Sequence, residues 1–312
     1  MRIFVTGASG HIASAVVPEL VAAGHDVTGL ARSEQAAAAV TALGATPHRG
    51  DLDDLDGLTK AAADSDGVVH LAFKHDEMRT GNFTGAVAAE LAVVQALGDG
   101  LAGTGKPFVG SSGTLTLARL DRPGTEEDAA DPGGRGDAEN AMLGLAERDV
   151  RSSVVRIPPI THSRLDRHGF ARTLIAIARQ TGVAGYAGDG ANRWPAGHTL
   201  DVGQLYRLAL EEAPAGTRWH AAGDEGIPIR QIAQSIGDHL GIPTASIPDG
   251  RLEAHFGFLA GLIGLDNPTS TLTTRRVLGW EPTHPGLLAD FDEGDYFAAG
   301  GWTQAGLARP VR

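Results

Sequence analysis

Met1-Arg2-Ile3-Phe4-Val5-Thr6-Gly7-Ala8-Ser9-Gly10-His11-Ile12-Ala13 carries the pattern from which the architecture follows. A short apolar run passes into a glycine turn and then into an Ala/Val-rich stretch of helical character: strand, turn, helix start. Gly7 permits the tight turn, Gly10 removes a side chain where a backbone must approach a pyrophosphate, and Ala13 is small enough for the helix to pack closely on the strand. Ser9, His11 and Ile12 complete the turn, whose N–H groups lie at the positive end of the helix dipole and suit phosphate. A second strand, Asp26 to Ala31, arrives at βαβ distance, the context in which such a turn binds a dinucleotide.

The close of that second strand bears on which dinucleotide. A carboxylate there would bind the adenosine ribose and repel a 2′-phosphate, but the chain reads Gly29-Leu30-Ala31-Arg32-Ser33. Ala31 leaves room, Arg32 can pair with a phosphate and stack on adenine, and Ser33 can donate a further bond, so NADP(H) is favoured over NAD. Thr46 to Arg49 leads as a third strand into Gly50-Asp51-Leu52, where Asp51 is placed to accept from an adenine amino group, while Asp53, Asp54 and Asp56 cap and solvate the next helix. Gly67 to Phe73 is a continuous apolar run of the kind a buried parallel strand shows, and His70 within it reads as a hydrogen-bonded core histidine. A long helix over Asn82 to Leu101 and a fifth strand over Lys106 to Gly110 complete the alternation. The expected fold class is α/β, a Rossmann doubly wound parallel sheet.

Beyond Gly110 the pattern changes. Leu120 to Gly136 is charged and rich in Gly and Pro, a loop over the carboxyl edge; Ala138 to Arg148 resumes helix and Ser152 to Ile157 strand, before Pro158-Pro159 breaks it. Phe170 to Gln180, Leu200 to Glu212 and Ile229 to Leu240 read as helices, Val183 to Pro195 as a glycine-rich loop, and Arg251 to Leu265 as an apolar, aromatic stretch. The expected division is a nucleotide-binding domain over 1–157 and 196–221 and a small α/β substrate cap over 158–195 and 222–312.

Composition excludes several functions. A net charge of −12 over 312 residues argues against a nucleic-acid or anionic-membrane surface, which needs a basic face. The absence of cysteine removes disulfides, thiolate nucleophiles and thiolate metal sites. The twelve histidines show no metal-binding spacing, and Gly110-Ser111-Ser112-Gly113 is not a hydrolase nucleophile elbow, so no metal is expected. Nothing at the N-terminus reads as a signal peptide and no apolar run approaches the ~20 residues of a membrane span, so a cytoplasmic protein is expected.

The chain resembles the extended or atypical branch of the short-chain dehydrogenase/reductase superfamily, the NAD(P)-dependent epimerase/dehydratase-like proteins. The resemblance rests on Thr6 to Ala13, Gly50-Asp51-Leu52, His70-Leu71-Ala72, Ser111-Ser112, Arg156-Ile157-Pro158-Pro159, His198-Thr199-Leu200-Asp201 and Leu278-Gly279-Trp280-Glu281-Pro282. It implies that Leu52, Leu71, Ala72 and Pro158 lie beside the cofactor. It also implies a Ser or Thr that binds the substrate oxygen, matched by Ser112, and a Tyr followed four residues later by a Lys. Between Gly113 and Val150 there is neither Tyr nor Lys. Placing Glu139 on the acidic residue that follows the family's lysine puts Arg135 at the lysine position and Asp131 at the tyrosine position; Arg135 can grip ribose hydroxyls but gives up no proton at neutral pH. His162, past the strand that ends near the nicotinamide, is the leading candidate for the missing acid, with His75 as a second imidazole and Tyr186, Arg193 and Trp194 as substrate-loop residues.

These residues predict an NADP(H)-dependent oxidoreductase acting on a small organic carbonyl, quinone or imine, as a monomer or a homodimer. The apolar stretch around Phe256, Phe258, Leu259, Leu262 and Ile263, with Trp194, would suit a hydrophobic substrate or form ordinary core. The alternatives are a nucleotide-sugar epimerase or dehydratase, and a non-catalytic NADP-binding sensor.

Overall fold

Alternation of side chains along the strands builds the molecule in layers. The computed structural model describes residues 1–74 and 82–298. Its first half runs β1 (Arg2–Thr6), α1 (Ala13–Ala22), β2 (Asp26–Ala31), α2 (Glu34–Ala42), β3 (Thr46–Arg49), α3 (Leu55–Ala63), β4 (Gly67–His70), α4 (Phe83–Leu101), β5 (Pro107–Gly113), α5 (Arg135–Gly144) and β6 (Arg151–Ile157). The second half runs β7 (Ile160–His162), α6 (Phe170–Thr181), β8 (Ala184–Ala187), β9 (Arg193–His198), α7 (Thr199–Glu212), β10 (Thr217–His220), β11 (Asp224–Pro228), α8 (Ile229–Leu240), β12 (Thr244–Ile247), α9 (Leu252–Phe256), α10 (Leu272–Leu278) and α11 (Leu287–Glu293).

The main sheet has seven strands in the order β10-β6-β5-β4-β1-β2-β3. All its pairings are parallel. Successive residues feed opposite cores, as the two-residue repeat of a strand requires. Ile3, Val5, Val69, Val109 and Val155 pack on one face with Leu20, Leu205, Tyr206 and Trp219, against α1 and α7. Phe4, Val68, Phe108 and Val154 pack on the other with Leu58, Val93, Leu97 and Met142, against α3, α4 and α5. The strand order reverses between β1 and β4, and the carboxyl edge at such a switch point is where open α/β sheets bind ligands.

A three-stranded sheet (β11-β9-β7), the pair β12-β8 and helices α6, α8 and α9 surround a second apolar core. Here the sequence reading needs correction. Val183 to Pro195 is not a loop but carries β8 and the start of β9, and β10, β11 and β12 are strands that no apolar run announced. They are four to six residues long and mix β-formers with Gly, Ala, Pro and charged residues, so no continuous apolar run marks them. Leu278 and Trp280, placed by sequence with the cap, sit in the main-sheet core, where Trp280 Nε1 donates to Asp201 O at 2.9 Å. Among the described residues no helix is long and apolar enough to cross a membrane.

Candidate active site

The nucleotide end of the site is built by close approach. Gly7 has φ +67°, and a Cβ there would stand 2.8 Å from Ala72 N and Leu71 C, so only glycine lets the turn after β1 pass the end of β4. Thr6 secures the same junction: its carbonyl accepts from Leu71 N at 3.2 Å and its Oγ1 lies 2.6 Å from His70 Nδ1. His70 is fully buried, and burial, with the Arg135 charge second, pushes its imidazole down to about 4, consistent with a neutral core residue. Gly10 N donates to Gly7 O at 2.9 Å, and α1 begins behind it with no side chain bonding to its first amides. Helix dipole and side-chain-free turn together fit the pyrophosphate of a dinucleotide. The His11 ring is turned toward α7. Thr199 uses its hydroxyl hydrogen on His162 O (3.0 Å), so the contact at 3.2 Å is donated by His11 Nε2–H, which ties the glycine loop to α7.

Just past β2 the edge is exposed. Ala31 is buried at the end of β2, Arg32 and Ser33 are exposed, and Ser33 Oγ accepts from Ala36 N at 3.1 Å as the cap of α2, leaving its own O–H to donate. Asp51 is exposed and its Oδ1 accepts from Asp53 N at 3.1 Å; Asp54 caps α3 through Gly57 N, as expected. Leu52 and Leu71 pack at the rims of the two cores, and Pro158 is buried beside Gly197.

At the far end of the edge, Arg135 opens α5 and gathers its neighbours. Its Nη2 donates to Glu90 Oε1 at 3.1 Å and to Ser111 O at 3.3 Å, and its guanidinium carbon lies 4.4 Å from the centre of the Phe73 ring. Its Nε finds no partner, nor do Ser112 Oγ, Glu90 Oε2 and His70 Nε2. The two serines of β5 point apart. Ser111 O–H donates to His70 O at 2.8 Å, so Tyr206 O–H donates to Ser111 Oγ at 2.7 Å. Ser112 is turned toward α5 and the Glu139 carboxylate without completing a hydrogen bond to it, so its hydroxyl is enclosed rather than open to the cleft.

Glu139 holds Arg156 through Nε (3.0 Å) and Nη2 (2.5 Å) and Arg218 at 3.0 Å, with Glu139 and Arg156 wholly buried. Burial alone would raise that carboxyl; the Arg156 contacts outweigh it and hold the group below its usual range. The pair joins α5 to β6. Asp131, however, is exposed and precedes α5, so it does not share a helical face with Arg135 as a Tyr four residues earlier would.

Other expected site residues are elsewhere. His162 is 0% exposed, its Nδ1 2.9 Å from Asp290 Oδ2 and its ring edge-on to His198 at 5.5 Å, so it is enclosed in the cap joint and faces no cleft. Trp194 is wholly buried in the cap core, with Nε1 donating to Leu265 O, and Tyr186 packs at the edge of the same core. Arg193 makes a two-pronged pair with Asp266 at 3.1 and 2.7 Å. Phe256, Leu259 and Ile263 are core and Phe258 is exposed, so that stretch forms no apolar substrate wall. His75 lies outside the described residues.

The residue that sequence reasoning missed is Glu90, whose side chain is 2% exposed. Burial, opposed by Arg135, pushes its carboxyl above the usual range. A lone carboxylate in the run Ala86-Val87-Ala88-Ala89-Glu90-Leu91-Ala92-Val93-Val94 was the available signal.

Among the described residues His198, Asp201 and His284 bring potential metal-ligand atoms within 4.8 Å of one another. The Nδ1 atoms of both histidines and the Asp201 carboxylate are engaged in hydrogen bonds. His198 Nδ1 accepts from Leu200 N, and the Asp201 oxygens accept from Thr283 N, His284 N and His284 Nδ1, pinning the 283–284 segment to α7.

Residues 3–132 match the model of the NAD dependent epimerase/dehydratase family. The chain is 44% identical over 299 residues to an uncharacterized protein of Schizosaccharomyces pombe, covering 95% of this chain and all of that one. Over 72 residues it is 44% identical to a 4-hydroxy-2-methyl-3-oxo-4-farnesyl-3,4-dihydroquinoline-1-oxide ketoreductase of Stigmatella aurantiaca, 23% of this chain and 22% of that one. The structure is similar to UDP-glucose 4-epimerase of Thermotoga maritima, with a TM-score of 0.74 at 18% identity over 95% of this chain and 98% of that one.

Proposed function

Because the chain belongs to the NAD-dependent epimerase/dehydratase family of the extended short-chain dehydrogenase/reductase superfamily, we propose that it is an NADP(H)-dependent oxidoreductase of a small organic substrate. The observation that carries the cofactor choice is the end of β2, where Ala31, Arg32 and Ser33 stand in place of a ribose-binding carboxylate. When bound, the nicotinamide supplies or accepts hydride. The glycine loop and the start of α1 hold the pyrophosphate, Arg32 and Ser33 the 2′-phosphate, and Arg135 the groups beside the reacting carbon. The ketoreductase likeness supports reduction of a carbonyl.

A second reading, a nucleotide-sugar epimerase or dehydratase, is favoured by the family description and by the fold neighbours, which include a UDP-glucuronic acid 4-epimerase bound to its sugar nucleotide and NAD. It uses the same hydride step but returns the hydride to the substrate.

Titration of NADPH and NADH against wild type and Arg32→Ala tests the cofactor site. NADPH is expected to bind at least about tenfold tighter, ~1.4 kcal/mol, and Arg32→Ala to lose that preference. Equal affinities in wild type would remove the argument. Turnover then separates the readings: carbonyl, quinone or imine substrates consume NADPH stoichiometrically, whereas a nucleotide sugar is converted with no net change in cofactor. Cofactor binding without turnover of either class would identify a binding protein instead.

A further inference from the structure

Eight buried side-chain nitrogen or oxygen atoms among the described residues have no hydrogen-bond partner, and four of them, on Glu90, Arg135, Ser112 and His70, come from elements that meet around the carboxyl ends of β4 and β5. Buried polar atoms are ordinarily paired; His70 and Ser112 are enclosed by the core, whereas the Arg135 side chain that holds Glu90 is 30% exposed at the ligand-binding edge, so this pair is the one that a ligand can complete. Glu90 is the unusual member. It projects from an apolar stretch of α4, one carboxylate oxygen held by Arg135 Nη2 at 3.1 Å and the other enclosed and unpaired. A carboxyl with one free oxygen can donate a proton from it, which the arginine cannot do.

We propose that Glu90 is the proton donor and acceptor of this site, with Arg135 as its positioning cation, the two replacing the tyrosine and lysine that the chain lacks. The inference rests on the oxidoreductase reading above. In the reductive direction a carbonyl carbon takes hydride from a dihydronicotinamide, forming a C–H bond; the C=O π pair moves onto oxygen, and that oxygen takes the proton of the Glu90 carboxyl. The dihydronicotinamide is oxidised, the carbonyl becomes an alcohol, and Glu90 is left as a carboxylate. That carboxylate forms beside Arg135, so transfer turns a neutral acid next to a cation into an ion pair, which stabilises the transferred state. Glu90 regains its proton from water after the alcohol leaves. Burial, which raises the Glu90 carboxyl above its usual range, keeps it protonated closer to neutrality than an exposed glutamate.

Glu90→Gln keeps the size and the Arg135 contact but removes the acid. Infrared titration of the cofactor-free protein is expected to show a carboxyl that stays protonated above the ordinary glutamate range and disappears in Glu90→Gln. NADPH affinity is expected to stay within about twofold of wild type, while reductive turnover falls roughly 10²-fold, the loss typical of a missing general acid. In wild type, kcat falls as pH rises through the Glu90 pKa; in Arg135→Gln the same fall moves to higher pH, because the cation that favours the carboxylate is gone. A Glu90→Gln enzyme as fast as wild type, an infrared signal that survives the substitution, or an Arg135→Gln profile that does not move would each overturn the assignment. Failure of wild type to bind NADPH would overturn the functional reading instead, and the infrared titration, which needs no cofactor, would still decide whether Glu90 is a protonated acid.

Discussion

At the scale of single residues, the site is organised by what is missing as much as by what is present. Gly7 matters because a side chain would occupy the backbone of Leu71 and Ala72; Gly24, also left-handed at φ +83°, faces nothing within 4 Å. The two positions therefore separate conformational strain from collision. Gly24→Ala is expected to cost only the left-handed backbone penalty, about 1–2 kcal/mol. Gly7→Ala adds a clash with backbone, is expected to cost more, and should weaken NADPH binding, since the β1–β4 junction must open. Urea unfolding of both variants checks this, and equal losses would show that the 2.8 Å approach carries no constraint. Tyr206 shows the complementary case. A buried phenol donating to Ser111 has its pKa pushed up by burial, so it is a structural donor and not a replacement for the missing catalytic tyrosine.

At the scale of elements, α1 and α7 matter most, because they place the glycine loop against the cap joint. Their contact depends on Gly203, where a Cβ would stand 3.0 Å from Ala15 C and 3.1 Å from Ala15 Cβ. Gly203→Val is expected to overpack the contact, lowering stability by about 1–3 kcal/mol and displacing the loop that α1 follows. A urea midpoint unchanged from wild type would mean that the helices separate without cost. The same contact turns the His11 ring toward α7: with that helix drawn close, Thr199 is within its reach.

At the scale of the whole molecule, buried imidazoles link stability to pH. His220 donates through Nδ1 to Ser270 O at 2.8 Å, so its Nε2, 3.2 Å from Arg156 Nη1, accepts from the guanidinium. Protonation would turn that acceptor toward a cation, and burial with the Arg156 charge pushes His220 down to about 3, as burial pushes His70 down to about 4, from an ordinary 6.5. Between the unfolded and folded values the unfolded chain binds protons that the folded chain refuses. Stability is therefore complete above about pH 6.5 and is lost as pH falls below it, by up to about 1.4 kcal/mol per pH unit for each imidazole. Unfolding in urea at pH 7.5 and pH 5 is expected to differ by roughly 2–4 kcal/mol. A flat response would show that these histidines are not held neutral.

The α/β class, the β1–turn–α1 unit, the lack of a carboxylate at the end of β2 and the absence of the Tyr–Lys pair are legible in the amino-acid order, because each is written in contiguous residues whose spacing has one local geometry. The buried role of His70 was legible for the same reason: it sits inside a run that only a covered strand tolerates. Which side chains meet across separate elements is set by packing alone. His162 follows the right strand, yet the packing of α11 supplies Asp290 and closes it away from the cleft. Trp194 sits in a glycine-rich stretch that reads as a loop until β11 and β7 pair with it on either side. Glu90 and Arg135 are 45 residues apart in the chain and 3.1 Å apart in space. Neither has a sequence signature for the other, since their meeting is set by how α4 and α5 pack side by side on one face of the sheet.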